Sequence, residues 1–79
     1  MNIDEKYKQK FIVLGKRIKE LRESQNLSLK EFSEKSGLNI EYIKKIESGT
    51  AYGIGFQKHM LKIAFSLNTE IEEIIKNLY

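Results

Sequence analysis

The chain has 79 residues, no cysteine, one histidine and a formal charge of +3, from 14 Lys and Arg against 11 Asp and Glu. That length fits a single small domain over 1–79, the lack of cysteine excludes disulfides, and a lone histidine leaves no ligand set for a structural zinc. No run reaches the about 18 apolar residues of a membrane span, and the first residues are charged and polar rather than signal-like, so no membrane partner and a cytoplasmic location are expected.

In chain order, Ile3, Tyr7, Phe11, Leu14, Ile18 and Leu21 recur at steps of four and three, which predicts one long first helix from about Asp4 to Ser24. Asp4 and Glu5 fall in its first turn, where acids suit the helix macrodipole. Gly15 interrupts it at a cost of about 1 kcal/mol relative to Ala, so a bend or a later start is expected. A second helix over 29–36 opens on Ser28 with Glu31 three residues on, a capping-box pattern. Gly37 stands where that helix must end in a left-handed residue. Asn39 caps a third helix over 40–48, whose inward residues are Ile43 and Ile46. Ser33 is small where the second and third helices would cross.

The stretch GTAYGIG over 49–55 has three glycines and no periodicity and is a loop. A fourth helix over 56–67 follows, with Phe56, Met60, Ile63, Ala64 and Leu67 on one face. Asn68 and Thr69 break the chain, and Thr69 with Glu72 repeats the capping-box pattern. A fifth helix over 70–78 carries Ile71, Ile74, Ile75 and Leu78. No segment alternates with period two, so the fold class is all-α with five helices.

The second and third helices, joined by a glycine turn, form a helix-turn-helix, a unit that most often lays its second helix in the DNA major groove. With Ile43 and Ile46 inward, Ile40, Glu41, Lys44, Lys45 and Ser48 face outward. Lys44 and Lys45 suit phosphate or guanine contacts, and Tyr42 a phosphate or a thymine methyl. The start of helix 2 at Leu29 and Lys30 offers unpaired amides and a positive dipole end to a phosphate. Asn39 at the head of helix 3, and Thr50 and Tyr52 just beyond it, complete the candidate DNA contacts. Residues 1–30 hold eight bases against four acids, whereas Glu70, Glu72 and Glu73 face only Lys76 in the last ten positions. One basic end fits a body that meets a polyanion on one side; an ordinary solvated surface is the alternative.

The stretch GKRIKELRESQNLSLKEFSEKSGLNIEYIKKIESG, followed by MLKIAFSLNTEIEEI, resembles the XRE or Cro/CI-type helix-turn-helix domains of bacterial and phage regulators. The resemblance spans about residues 15–75. It implies a five-helix Cro/CI-repressor-like domain with an extended first helix, symmetric dimers through the C-terminal helix, and palindromic double-stranded DNA operators. It also implies a pair between an arginine late in helix 1 and a glutamate near the end of helix 3, here Arg22 and Glu47. Among relatives, the small controller proteins of restriction–modification systems are similar in size and in the Tyr42–Ile43 pair. The chain departs from the family at Leu29, where a DNA-contacting Gln is usual, and at Ile40, where a polar residue is common. Glu41 would repel phosphate but can accept from a cytosine amino group. The loop 50–55 lacks the usual basic-plus-proline pattern.

Ile71, Ile74, Ile75, Leu78 and Tyr79 are more apolar than a terminal helix leaves in water, and they are read as partly core and partly a two-fold homodimer contact. Ile3 and Tyr7 extend beyond the usual family domain and would pack on a partner subunit or the C-terminal helix. His59 has no second ligand and no nucleophile beside it, so it reads as a structural histidine. The glycines at 49, 53 and 55 form no phosphate-binding signature. Nothing supports an enzyme, a cofactor or a small-molecule substrate. The expected function is a dimeric sequence-specific transcriptional regulator; the alternative is an antitoxin-like or adaptor domain that keeps the fold and binds protein through Ile40, Tyr42 and the glycine loop.

Overall fold

The computed structural model describes residues 5–51 and 56–78, and of residues 6, 56 and 57 the backbone. The expectations for Ile3, Asp4, Tyr52 and Tyr79, for the side chain of Phe56 and for most of the glycine loop lie outside the described residues. The helices are α1 (Glu5–Ser24), α2 (Leu29–Ser36), α3 (Ile40–Ser48), α4 (Phe56–Ser66) and α5 (Ile71–Ile75). Among the described residues there is no strand, so the fold is all-α. No helix among them is long and apolar enough to cross a membrane.

The helices stop where the backbone turns left-handed. At the end of α1, Asn26 takes φ 58°, and the amides of Leu27 and Asn26 donate to the carbonyls of Arg22 (3.1 Å) and Glu23 (3.0 Å). Gly49 (φ 81°) repeats this for α3, with Thr50 N–H on Lys45 O at 2.9 Å and Gly49 N–H on Ile46 O at 3.1 Å. Asn68 (φ 52°) repeats it for α4, with Thr69 N–H on Ala64 O at 3.0 Å. This Schellman ending returns unpaired carbonyls to amides, and Gly and Asn adopt its backbone most readily. At the end of α2, Gly37 takes φ 75° and its amide donates to Ser33 O at 2.8 Å.

The same geometry corrects the expectation at α5. Thr69 is used in closing α4, so α5 begins later, with Glu70 as an N-cap that makes no side-chain bond; the Thr69–Glu72 capping box does not form. The helix stops at Ile75, well short of residue 78, because Lys76 is extended (φ −54°, ψ 129°) and Asn77 is left-handed (φ 65°). That reversal folds Leu78 back into the core. Donors from α1 satisfy the carbonyls left behind: Arg17 Nη1 bonds Ile74 O at 2.9 Å, and Lys10 Nζ bonds Leu78 O.

Every helix contributes a fully buried side chain, among them Ile18, Phe32, Ile43, Ile63 and Ile74. Gly15 marks no later start, since α1 runs from Glu5 through it to Ser24. It sits where α1 crosses the end of α3: a Cβ there would lie 2.1 Å from Ile46 O, and one on Gly49 would lie 2.7 Å from Ile12 Cα. A glycine on α1 and another at the cap of α3 thus let the two backbones touch. In the turn between α2 and α3, Leu38 is buried and α2 serves its polar backbone: Ser33 Oγ donates to its carbonyl (2.5 Å) and Ser36 Oγ accepts its N–H (3.2 Å). Ser33 is therefore a hydrogen-bonding residue of the turn as well as a small one.

Candidate nucleic-acid interface

The orientation of α3 follows from its sequence. Ile43 and Ile46 are buried, which turns Glu41, Lys44, Lys45 and Ser48 to solvent and leaves Ile40 half-exposed. Asn39 Oδ1 accepts the Glu41 N–H at 2.7 Å and fixes the start of the helix, while Gly49 fixes its end. Behind it, Arg22 of α1 holds Glu47 through two bonds, Nε to Oε2 at 2.7 Å and Nη2 to Oε1 at 3.1 Å. The third arm, Nη1, donates to Leu27 O at 2.7 Å. The pair is largely out of water, with side-chain exposures of 10% and 8%. The hydrogen bond to Glu47 raises the Arg22 pKa further above its ordinary value, against the opposing effect of burial. A fork of this kind locks both distance and rotation between α1 and α3.

The start of α2 is equally defined. Ser28 Oγ accepts Glu31 N–H at 3.0 Å, and Glu31 Oε1 accepts Ser28 N–H at 2.9 Å. The Ser28 amide first, and the Ser28 hydroxyl second, hold the Glu31 carboxyl below its ordinary pKa. Once the box is closed, the amides of Leu29 and Lys30 are the ones at the helix mouth without an intrahelical acceptor.

The candidate contact residues divide accordingly. Lys30 at the start of α2, Lys44 and Lys45 on α3, and Thr50 just past the end of α3 are exposed. Lys44 Nζ lies 3.6 Å from Glu41 Oε1, an exposed pair worth about 0–1 kcal/mol that binding to a polyanion can open. The Thr50 hydroxyl donates to Lys45 O at 3.3 Å and lies 3.0 Å from Ser48 Oγ, so it braces the end of α3. Asn39 uses its oxygen in the cap and keeps its amide N–H groups. Leu29 is half-buried and packs against the core, so its side chain is not presented and only its amide can meet a phosphate. Tyr42 is also half-buried against the core, and its hydroxyl lies 2.9 Å from His59 Nδ1 on α4, so it does not reach freely outward. His59 is thereby a partnered histidine.

The basic end of the sequence is also smaller than it reads. Lys10, Arg17 and Arg22 turn inward, to Leu78 O, Ile74 O and Glu47 respectively. Of the candidate dimer residues, Ile74 (0% exposed) and Leu78 (9%) are core and cannot offer surface, while Ile71 and Ile75 are half-buried. The exposed apolar residues at this end lie on α4: Leu61 is 68% and Phe65 87% exposed. Their four-residue spacing outside the Met60, Ile63 and Leu67 face of helix 4 is the signal for them in the sequence. They form a ridge between one shallow hollow shared with Ala64 and Ile71 and another shared with Lys35 and Ser36.

Residues 15–78 match the family described as a helix-turn-helix domain. The chain is also similar to the restriction–modification controller protein C.AhdI of Aeromonas hydrophila, known from a crystal structure. The two are 30% identical, the match covers 81% of this chain and 94% of the other, and the TM-score is 0.74. No curated protein matches the chain.

Proposed function

We propose, since this chain belongs to the XRE-type helix-turn-helix family, that it is a DNA-binding transcriptional regulator that acts as a symmetric dimer on a palindromic operator. Helix α3 enters the major groove. Lys45 and Lys44 meet phosphate or guanine, Ile40 meets thymine methyls, and Glu41, released from Lys44, accepts from a cytosine amino group. Lys30 and the free amides at the start of α2 hold the adjoining backbone. The observation that carries this reading is the inward turn of Glu47 to Arg22. Of the acids on α3, only Glu41 then faces outward, against Lys44 and Lys45.

The ridge of Leu61 and Phe65, with Ile71 and Ile75, forms the two-fold contact that sets two α3 helices about 34 Å apart, one turn of duplex. With control by concentration, the regulator binds as dimers accumulate in the cytoplasm.

Selection of bound sequences from random duplex DNA tests the operator, its symmetry and its spacing together. The expected product is a palindrome whose half-sites lie one turn apart, bound by a complex that weakens steeply with salt. In that assay Lys45→Ala weakens binding across sequences and lowers the salt slope by about one. Recovery of no enriched sequence and no salt-sensitive complex overturns the reading in favour of the protein-binding adaptor.

A further inference from the structure

The hydroxyl of Tyr42, at the third residue of α3, is 2.9 Å from Nδ1 of His59, with the rings edge-on at 74° and their centroids 5.0 Å apart. Among the described residues this is the side-chain hydrogen bond that joins α3 to α4, and both side chains are half-buried. A neutral imidazole with its proton on Nε2 accepts here, so the phenol donates inward and turns only lone pairs outward. Phosphate oxygens accept and do not donate, so a tyrosine in that state has no bond to offer them. An imidazolium carries a proton on Nδ1 as well. It can only donate, the phenol oxygen then accepts, and the phenolic hydrogen is released to find another acceptor.

We propose that His59 is a positioning residue for DNA binding, whose protonation reverses the hydrogen bond to Tyr42 and turns the tyrosine hydroxyl of α3 into a donor to a backbone phosphate. The inference rests on the DNA-binding reading above and deepens it. Burial raises the Tyr42 pKa, so the phenol keeps its hydrogen throughout the range in which an imidazole titrates. The charged groups flanking the pair along the chain are Lys58 and Lys62 on α4 and Glu41, Lys44 and Lys45 on α3, all exposed, and from α2, which packs on α4, Lys35 shares a hollow with Lys62. Among the described residues no carboxylate pairs with His59. A phosphate held by the relayed hydroxyl favours the imidazolium, so DNA binding takes up a proton and grows tighter as the pH falls.

Anisotropy titrations with the selected operator duplex, at constant salt between about pH 5.5 and about pH 8, test this. Affinity of the unaltered protein should rise by roughly fivefold towards the acid end. His59→Gln should flatten the profile. Tyr42→Phe keeps the imidazolium charge and loses the relay, so it should show a clearly shallower rise. A second readout follows the single histidine by NMR: its pKa should increase on DNA binding, and by less in Tyr42→Phe, a comparison that needs no His59 variant to fold. A salt-sensitive complex with the same pH profile in all three proteins overturns this inference and leaves the DNA reading standing. No complex at any pH overturns both.

Discussion

The two ends of this small bundle are closed in different ways. At the crossing of α1 and α3 the backbones touch at Gly15 and Gly49, and the Arg22–Glu47 fork lies beside them out of water. At the α4–α5 end, Phe65 and Leu61 stand in solvent, and α5 and the turn after it are tied to α1 by long polar side chains reaching the carbonyls of Ile74 and Leu78. The first region is complete within one chain. The second carries apolar surface that a second chain would cover. The contrast suits a regulator: the frame that aims α3 must not depend on a partner, whereas binding as a pair should depend on concentration.

Removing the fork is the harshest test of the frame. Glu47→Ala leaves Arg22 charged, buried and short of its acceptors, and breaking such a pair costs about 3–5 kcal/mol. A domain of this size has a total stability of only about 4–12 kcal/mol, so the loss takes a large share of it. Urea denaturation should show a much lower midpoint, with DNA affinity falling in parallel. A midpoint near that of the unaltered chain would mean that the frame is held by the glycine contact alone. At the other end, Phe65→Ser should behave in the opposite way. The side chain is 87% exposed, so the folding of the single chain should shift by no more than about 0.5 kcal/mol. The dimer constant should weaken by at least about tenfold. Sedimentation over a concentration series separates the two effects, and an unchanged dimer would place the two-fold contact elsewhere.

The same division separates what the sequence makes legible from what it hides. The bounds of α2 and α3, the Ser28 box, the Asn39 cap and the Gly37 turn are signals confined to a few neighbouring residues, and the structure contains each of them. The Arg22–Glu47 pair spans 25 positions and was legible only through the family resemblance. Gly15 misled because its reason, the carbonyl of Ile46, lies on another helix. Thr69 misled because two helices competed for one residue, and the Schellman ending of α4 took its amide. Ile71, Ile74, Ile75 and Leu78 read together as part core and part contact because their spacing predicts one regular helix to residue 78, whereas Asn77 reverses the chain past Ile75 and brings Leu78 into the core. The Tyr42–His59 bond joins residues 17 apart, on helices whose relative placement no periodicity reports.

The smallest expected effect bears on how firmly the frame holds the mouth of α2. Ser28→Ala removes the acceptor for Glu31 N–H and should cost about 1 kcal/mol, as N-cap losses typically do. Its partner in the box gives this a pH signature. The Glu31 carboxyl is held below its ordinary value, by the Ser28 amide first and the hydroxyl second, and so binds its proton less readily in the folded chain than in the unfolded one. Its contribution is therefore fully present above the ordinary carboxylate pKa of about 4.3 and is lost as the pH falls through the lower folded value. Glu31→Gln keeps an oxygen for the Ser28 N–H without the titrating charge. Thermal denaturation at neutral and at strongly acid pH should show a smaller acid loss in Glu31→Gln than in the unaltered chain. Equal acid losses would mean that the box holds no differential charge, and that the amides of Leu29 and Lys30 face a phosphate from a mouth fixed by the Ser28 hydroxyl alone.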